Sequence, residues 1–272
     1  MPIITIYQGA SGSGEELAEA VAKGLGYRCI SREVLVEASR KYNIAEAKLN
    51  EIVEKGLPWW ERLVQNLVPY RIALQAAFCE LVQGQQIIYH GHIGHELLPS
   101  IRHVLKVLLT APMEMRIEQV RERQKLSQAA ARRYVDEVDK ARTRRLMALF
   151  DTDWRDASRY DLVVNLGRMS LEGATHMIVA AATLPDYQPT VASEEALQDL
   201  ALATKVHATL VTSPEMISAR LNVKADGGEV FISGTVPTWV SEEMVKNQVL
   251  KIPGVDKIVT DIAPVPIEDW NT

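Results

Sequence analysis

The stretch IITIYQGASGSGEELAEAVAKGLG near the start of the chain does most to limit what the rest can fold into. PIITIYQG is a short β-branched run that stops at glycine, and EELAEAVAKGLG then changes to a helical period with Leu17, Val21 and Leu25 on one face. A strand, a glycine loop and a helix in that order aim several backbone N–H groups and the positive end of the helix dipole at one spot, which attracts phosphate. Gly9 and Gly14 match the spacing of the phosphate-binding pattern G-x-x-x-x-G-K-[ST], but Glu15 stands in the lysine position and Glu16 in the hydroxyl position. A carboxylate about 4 Å from a phosphate charge costs on the order of 4 kcal/mol at an effective dielectric of about 20. In the other direction, glutamates in a first turn stabilise the helix by a few tenths to about 1 kcal/mol. Two readings of Gly9, Ala10, Ser11, Gly12, Ser13, Gly14, Glu15 and Glu16 therefore stand side by side, a nucleotide cradle and a structural turn.

Further strand-like runs follow at QIIYHG, HVLKVLLTAP and YDLVVNL, each separated from the previous strand by long helical stretches. Strands alternating with helices predict a parallel sheet covered on both faces. Between Met113 and Leu149 the chain is helical and dense in arginine, and SLEGATHMIVAAAT reads as the helix that closes this unit.

At 272 residues the chain exceeds what one core usually covers, which favours two domains. The prolines and small polar residues of LPDYQPTVASEE read as a linker over 185–195, between a domain over 1–184 and a second over 196–264. Beyond it the pattern becomes a helix from about Glu194 to Val211, two alternating runs joined at Asp226-Gly227-Gly228, a helix in SEEMVKNQVLKIPGV and a strand in DKIVTDIA. The expected order is α-β-β-α-β, with an irregular tail over 265–272 in which Trp270 could dock on a neighbouring surface.

Charge and composition exclude several classes of function. A net charge of −5 gives no general attraction for DNA or RNA. The longest apolar stretch, MIVAAATL, is far short of the roughly 20 residues that span a bilayer, and MPIITIYQ has no secretory pattern, so the expectation is a cytoplasmic protein. Cys29 and Cys79 are too few for a disulfide framework and are expected to be reduced and buried. His90, His92 and His95 are three imidazoles within six residues, yet the run crosses from strand into helix with no cysteine nearby. They are read as polar residues at a strand end, and no metal site is assigned. The pair Trp59 and Trp60 is read as packing rather than base stacking.

Four segments make the region up to about Ala182 resemble the cytidylate kinase-like family of P-loop nucleoside monophosphate kinases. They are GASGSGEELAEAVAKGLG with YRCISREVLVEAS, then IIYHGHIGHELLP, VLKVLLTAPMEMRIEQV, and VDKARTRRLMALFDTDWRDASRYDLVVNLGRMS. The resemblance implies an α/β fold, a P-loop kinase-like parallel sheet with helices on both faces and a helical lid. It implies ATP and Mg2+ as cofactors and a CMP-like acceptor. By position it carries catalytic roles to the lid arginines Arg116, Arg123 and Arg142, with Asp139 orienting them; most such arginines could equally be a solvated face paired with acidic neighbours. His92 stands where relatives show arginine. VKADGGEVFISGTVPT and VLKIPGVDKIVTDI resemble the BON domain, a small α+β module, which implies binding of lipid, an apolar ligand or a protein partner and no catalysis. Two functions stay open: phosphoryl transfer from ATP to a nucleoside monophosphate, or a degenerate sensor or scaffold. Homo-oligomerisation stays open too.

Overall fold

The computed structural model describes residues 2–9, 13–55, 67–216 and 219–266, with the side chains of residues 54 and 55 excepted. The expectations for Ala10, Ser11 and Gly12 in the glycine loop, for Trp59 and Trp60, and for Trp270 lie outside them.

The first unit is a five-stranded parallel sheet built from β1 (Ile3–Gln8), β2 (Arg28–Ile30), β3 (Ile87–His90), β4 (Val104–Thr110) and β5 (Leu162–Asn165), in the order β2-β3-β1-β4-β5. β1 is central, pairing in parallel with β3 and β4, and all of it is buried, as a central strand covered on both faces requires. Ile4 and Ile6 face one layer, where α1 (Gly14–Leu25) contributes Leu17 and Val21. Ile178 of the closing helix, Leu171–Ala182, completes that layer.

The opposite face holds Ile3 and Tyr7 under α2 (Glu33–Tyr42), α3 (Glu46–Asn50), α4 (Val68–Val82) and α5 (Gly94–Leu97), with Phe78 and Leu74 fully buried among them. Helices on both faces and a helical lid are thus present as the sequence implied. The lid is the pair α6 (Met113–Gln124) and α7 (Gln128–Phe150), joined by a short turn and held by a small core of Ile117, Val120, Ala131 and Val135. The closing helix is α8.

The second unit follows the expected order. After α9 (Val191–Val211), β6 (Arg220–Asp226) and β7 (Glu229–Pro237) form an antiparallel hairpin whose turn residues Gly227 and Gly228 take φ of 53° and 88°, a conformation only glycine adopts cheaply. β8 (Lys257–Val265), reached through α10 (Glu242–Val249), adds in parallel to β7.

Two boundaries differ from the sequence reading. α9 begins at Val191, capped by the Thr190 side chain, and so takes in residues 191–195 of the segment read as linker; Val265, read as tail, ends β8. The reason is the capping box between Thr190 and Ser193, which nucleates helix inside a stretch whose composition suggests a loop. α9 also serves both units. Val206 and Leu210 pack on the second sheet, Leu197 and Ala201 join the first core, and Ala208 and Val211 meet Tyr42, Ile72, Ala73 and Ala76 of α2 and α4.

Cys79 is buried as expected, whereas Cys29, on the short edge strand β2, is only half-buried. Among the described residues no helix is long and apolar enough to cross a membrane.

Candidate functional site

The carboxyl end of β1 and the N-terminus of α1 form the floor of the site. Gln8 ends the strand, Gly9 follows, and α1 starts at Gly14 with the Ser13 carbonyl accepting from the N–H of Leu17. Gly14 has no room for a side chain: a Cβ there would lie 2.3 Å from the Gln8 side chain and 2.8 Å from His90 Nε2. Glu15 and Glu16, in the first turn, are exposed.

The lid forms the roof. Asp139, Arg142, Thr143 and Leu146 recur at spacings of three and four on α7, which puts them on one face. That face turns to the sheet. Arg116, 7% exposed on α6, reaches over Gly9, where a Cβ would meet its Nη2 at 3.1 Å and the Trp154 ring at 3.3 Å. Its guanidinium donates to both carboxylate oxygens of Asp139 at 2.7 Å. Arg142 donates from Nη1 to the Gln8 carbonyl at 2.7 Å, and its Nη2 lies 3.2 Å from His92 Nε2. A guanidinium can only donate, so Nε2 of His92 is the bare acceptor nitrogen. Burial, with Arg142 and Arg145 close by, holds this imidazole well below its ordinary pKa and therefore neutral.

The structure thus brings together Arg116, Asp139 and Arg142, three of the four residues to which the resemblance carried a catalytic role. Arg123 is exposed on the rim of a cleft of about 820 Å3 between α1 and the lid. The α1 wall of that cleft is acidic, with Glu15, Glu16 and Glu19; the lid wall presents Arg123 and Arg142. Its volume lies within the range of small-molecule sites.

Several residues of the site carry no signal in the sequence spacing. Tyr7 stacks on Trp154 at 5.4 Å between ring centres, and Trp154 Nε1 donates to Thr143 Oγ1 at 3.0 Å, which fixes α7 over the sheet. Arg159 donates to the Glu96 carboxylate, and Tyr160 stacks on His95 at 5.0 Å. Arg145 is buried beside Tyr7. The DWRDASRY segment that supplies Trp154, Arg159 and Tyr160 is polar enough to read as surface, and only its place in the family resemblance marks it.

The three clustered histidines point to different places. His90 faces Gly14, His92 meets Arg142, and His95 packs between Tyr7 and Tyr160. Among the described residues, no three His, Cys, Asp or Glu side chains gather into a metal-sized cluster.

The sequence model of the cytidylate kinase-like family matches residues 3–168, and that of the BON domain matches 198–264. A cytidylate kinase of Sulfurisphaera tokodaii is 26% identical over 180 residues, which cover 65% of this chain and 94% of that protein. A cytidylate kinase of Methanopyrus kandleri is 36% identical over 95 residues, covering 35% of this chain and 48% of its own. Among solved structures, an uncharacterized protein from Eubacterium ventriosum superposes with a TM-score of 0.53 at 19% identity, over 66% of this chain and 97% of that one. That last likeness concerns the fold alone.

Proposed function

The chain belongs to the cytidylate kinase-like family, and from that premise we propose that its first domain, over 1–184, binds ATP and transfers the γ-phosphoryl group to CMP or a related nucleoside monophosphate. The observation that carries this reading is the convergence of Arg116 and Arg142 on Gly9 and Gln8. Phosphoryl transfer is catalysed mainly by positioning and by positive charge around the moving group. The loop has Glu15 in place of its lysine, and the lid brings two guanidinium groups to the same end of β1. Asp139 anchors Arg116 through its Nη2, and the Gln8 carbonyl with His92 sets the plane of Arg142, so both guanidinium groups are positioned before an anion arrives.

Support for a polyphosphate comes from the N-terminus of α1, which stands at the end of β1 with guanidinium donors opposite. The residues present do not fit magnesium in the same way. The root of the cradle offers an imidazole and an amide, Glu16 replaces the hydroxyl that holds the metal in P-loop proteins, and magnesium takes oxygen ligands. Magnesium would enter with the nucleotide's own oxygens, and no step is routed through it. Release of ADP, measured across the nucleoside monophosphates, tests the reading; no turnover above background with any of them overturns it.

A second reading has its own support. Arg116 is already neutralised by Asp139, and α9 couples the first domain to a BON-like domain over 196–264 that would bind a lipid, an apolar ligand or a protein. In that reading the first domain senses nucleotide without turning it over. Glu15→Lys separates the two: a gain in ATP affinity together with turnover supports a cradle that lacks only charge, and tight binding without turnover supports the sensor.

A further inference from the structure

Two polar atoms are sealed at the root of α1 without partners. Gln8 is 7% exposed and its Oε1 has no hydrogen-bond partner; Nε2 of His90 is likewise shielded from solvent and unpartnered. Both converge on Gly14, the first residue of the 12-residue helix α1. Buried polar groups are nearly always satisfied, and leaving one unsatisfied costs about 1–3 kcal/mol. Two of them aimed at one helix N-terminus mark a place prepared for a polar ligand, and the dipole there favours an anion.

We propose that His90 is the phosphate partner that replaces the missing loop lysine, its imidazole taking up one proton from solvent when a polyphosphate binds at the N-terminus of α1. The proposal rests on the nucleotide-binding part of the function proposed above and names the residue that makes it work. In the resulting contact Nε2–H of the imidazolium donates to a phosphate oxygen, and the Gln8 amide turns its N–H groups outward to a second oxygen. No bond to phosphorus forms or breaks.

The groups around His90 explain why the proton arrives with the ligand. Gln8 faces it from β1, Glu15 from α1, Arg142 from α7 and His92 from the turn after β3. Burial and the Arg142 cation hold its pKa below the ordinary 6.5 while Glu15 opposes them, so the free protein carries it neutral at pH 7. A bound phosphate screens Arg142 and supplies an acceptor, which raises the pKa in the complex. The gain in affinity is therefore complete below the pKa of the free protein and disappears as pH rises through that of the complex. A fixed lysine would give no such dependence near neutrality. Glu15 gains a role as well, since it stabilises the imidazolium that a lysine in its position would repel.

Calorimetry of the full chain with ATP in EDTA, at pH 6 and pH 8 and in two buffers of different ionisation enthalpy, tests this. Near pH 7 wild type is expected to take up about half a proton more per ATP than His90→Gln does. Its ratio of affinity at pH 6 to that at pH 8 should exceed that of His90→Gln by about tenfold. The nucleotide's own titration is common to both proteins and cancels. Equal proton uptake and equal pH dependence in His90→Gln overturn the role of His90 and leave nucleotide binding standing. No ATP binding by wild type below millimolar at either pH overturns both. Should His90→Gln fail to fold by circular dichroism, NMR titration of the wild-type histidines decides: a rise in the His90 pKa on adding ATP supports the proposal, and an unchanged pKa overturns it.

Discussion

Arg142 donates to the main-chain carbonyl of Gln8 at 2.7 Å, a bond between residues 134 positions apart that fastens the lid helix to the end of the central strand. The second arm of the same guanidinium meets neutral His92. Neither of these two partners carries a charge.

Arg142→Lys keeps the positive charge and loses the fork. One of the two contacts must then go, which should cost about 1–3 kcal/mol in stability and weaken ATP binding at least severalfold. Thermal unfolding and calorimetry read the two effects separately. A variant that binds ATP as wild type does would show that the second arm of Arg142 has no part in the site.

Gly14→Ala addresses the floor. The new methyl would meet the Gln8 side chain at 2.3 Å and His90 Nε2 at 2.8 Å, and both are enclosed, so one must move. Overpacking of this kind costs about 1–3 kcal/mol. A loss of stability of that size, with loss of ATP affinity, is expected from urea unfolding and calorimetry; an unaffected variant would mean that the root of α1 is looser than the packing indicates.

Four strands of the first sheet were legible as apolar runs that end near a turn residue, as β1 does at Gly9, whereas β2, three residues on the sheet edge, was legible only through the family resemblance. The site was legible only where a family pattern spans it. Arg116 and Asp139 are 23 residues apart, and nothing in local spacing pairs them. The contact of His92 with Arg142 likewise depends on how α7 lies over β3. α9 reads as an ordinary amphipathic helix. Yet Leu197, Ala201, Val206, Ala208 and Leu210 are all buried because three groups of residues cover it, and one sequence cannot show how many neighbours a small residue such as Ala208 has.

Ala208 gives a test of that shared helix. It is fully buried in one cluster with Ala73 and Ala76 of α4, small residues that let the two helices approach closely. Ala208→Leu should cost about 1–3 kcal/mol and weaken the coupling between the units. In differential scanning calorimetry the expected result is a broadened or split transition. A single transition displaced by less than 1 °C would show that α9 and α4 separate freely.

The buried histidines make stability fall in mild acid. His95 is 2% exposed, stacked on Tyr160 and edge-on to Tyr7. The Tyr160 hydroxyl donates to the Trp154 carbonyl at 2.9 Å, so its oxygen accepts from Nε2–H of His95 at 3.3 Å, and Nδ1 is left bare and buried. Protonating Nδ1 would place a charge in the core beside Lys106 and Arg159; burial first, then these cations, push the pKa down to about 3. The unfolded chain, with an ordinary histidine at about 6.5, binds the proton more readily. Stability is therefore full above pH 6.5 and falls as pH drops from 6.5 toward 3, by up to about 1.4 kcal/mol per pH unit from this residue. His95→Phe removes the titration while retaining a ring between the two tyrosines. Urea unfolding at pH 7, 6 and 5 should give a shallower decline for the variant than for wild type, and parallel declines would mean that His95 accepts its proton without unfolding.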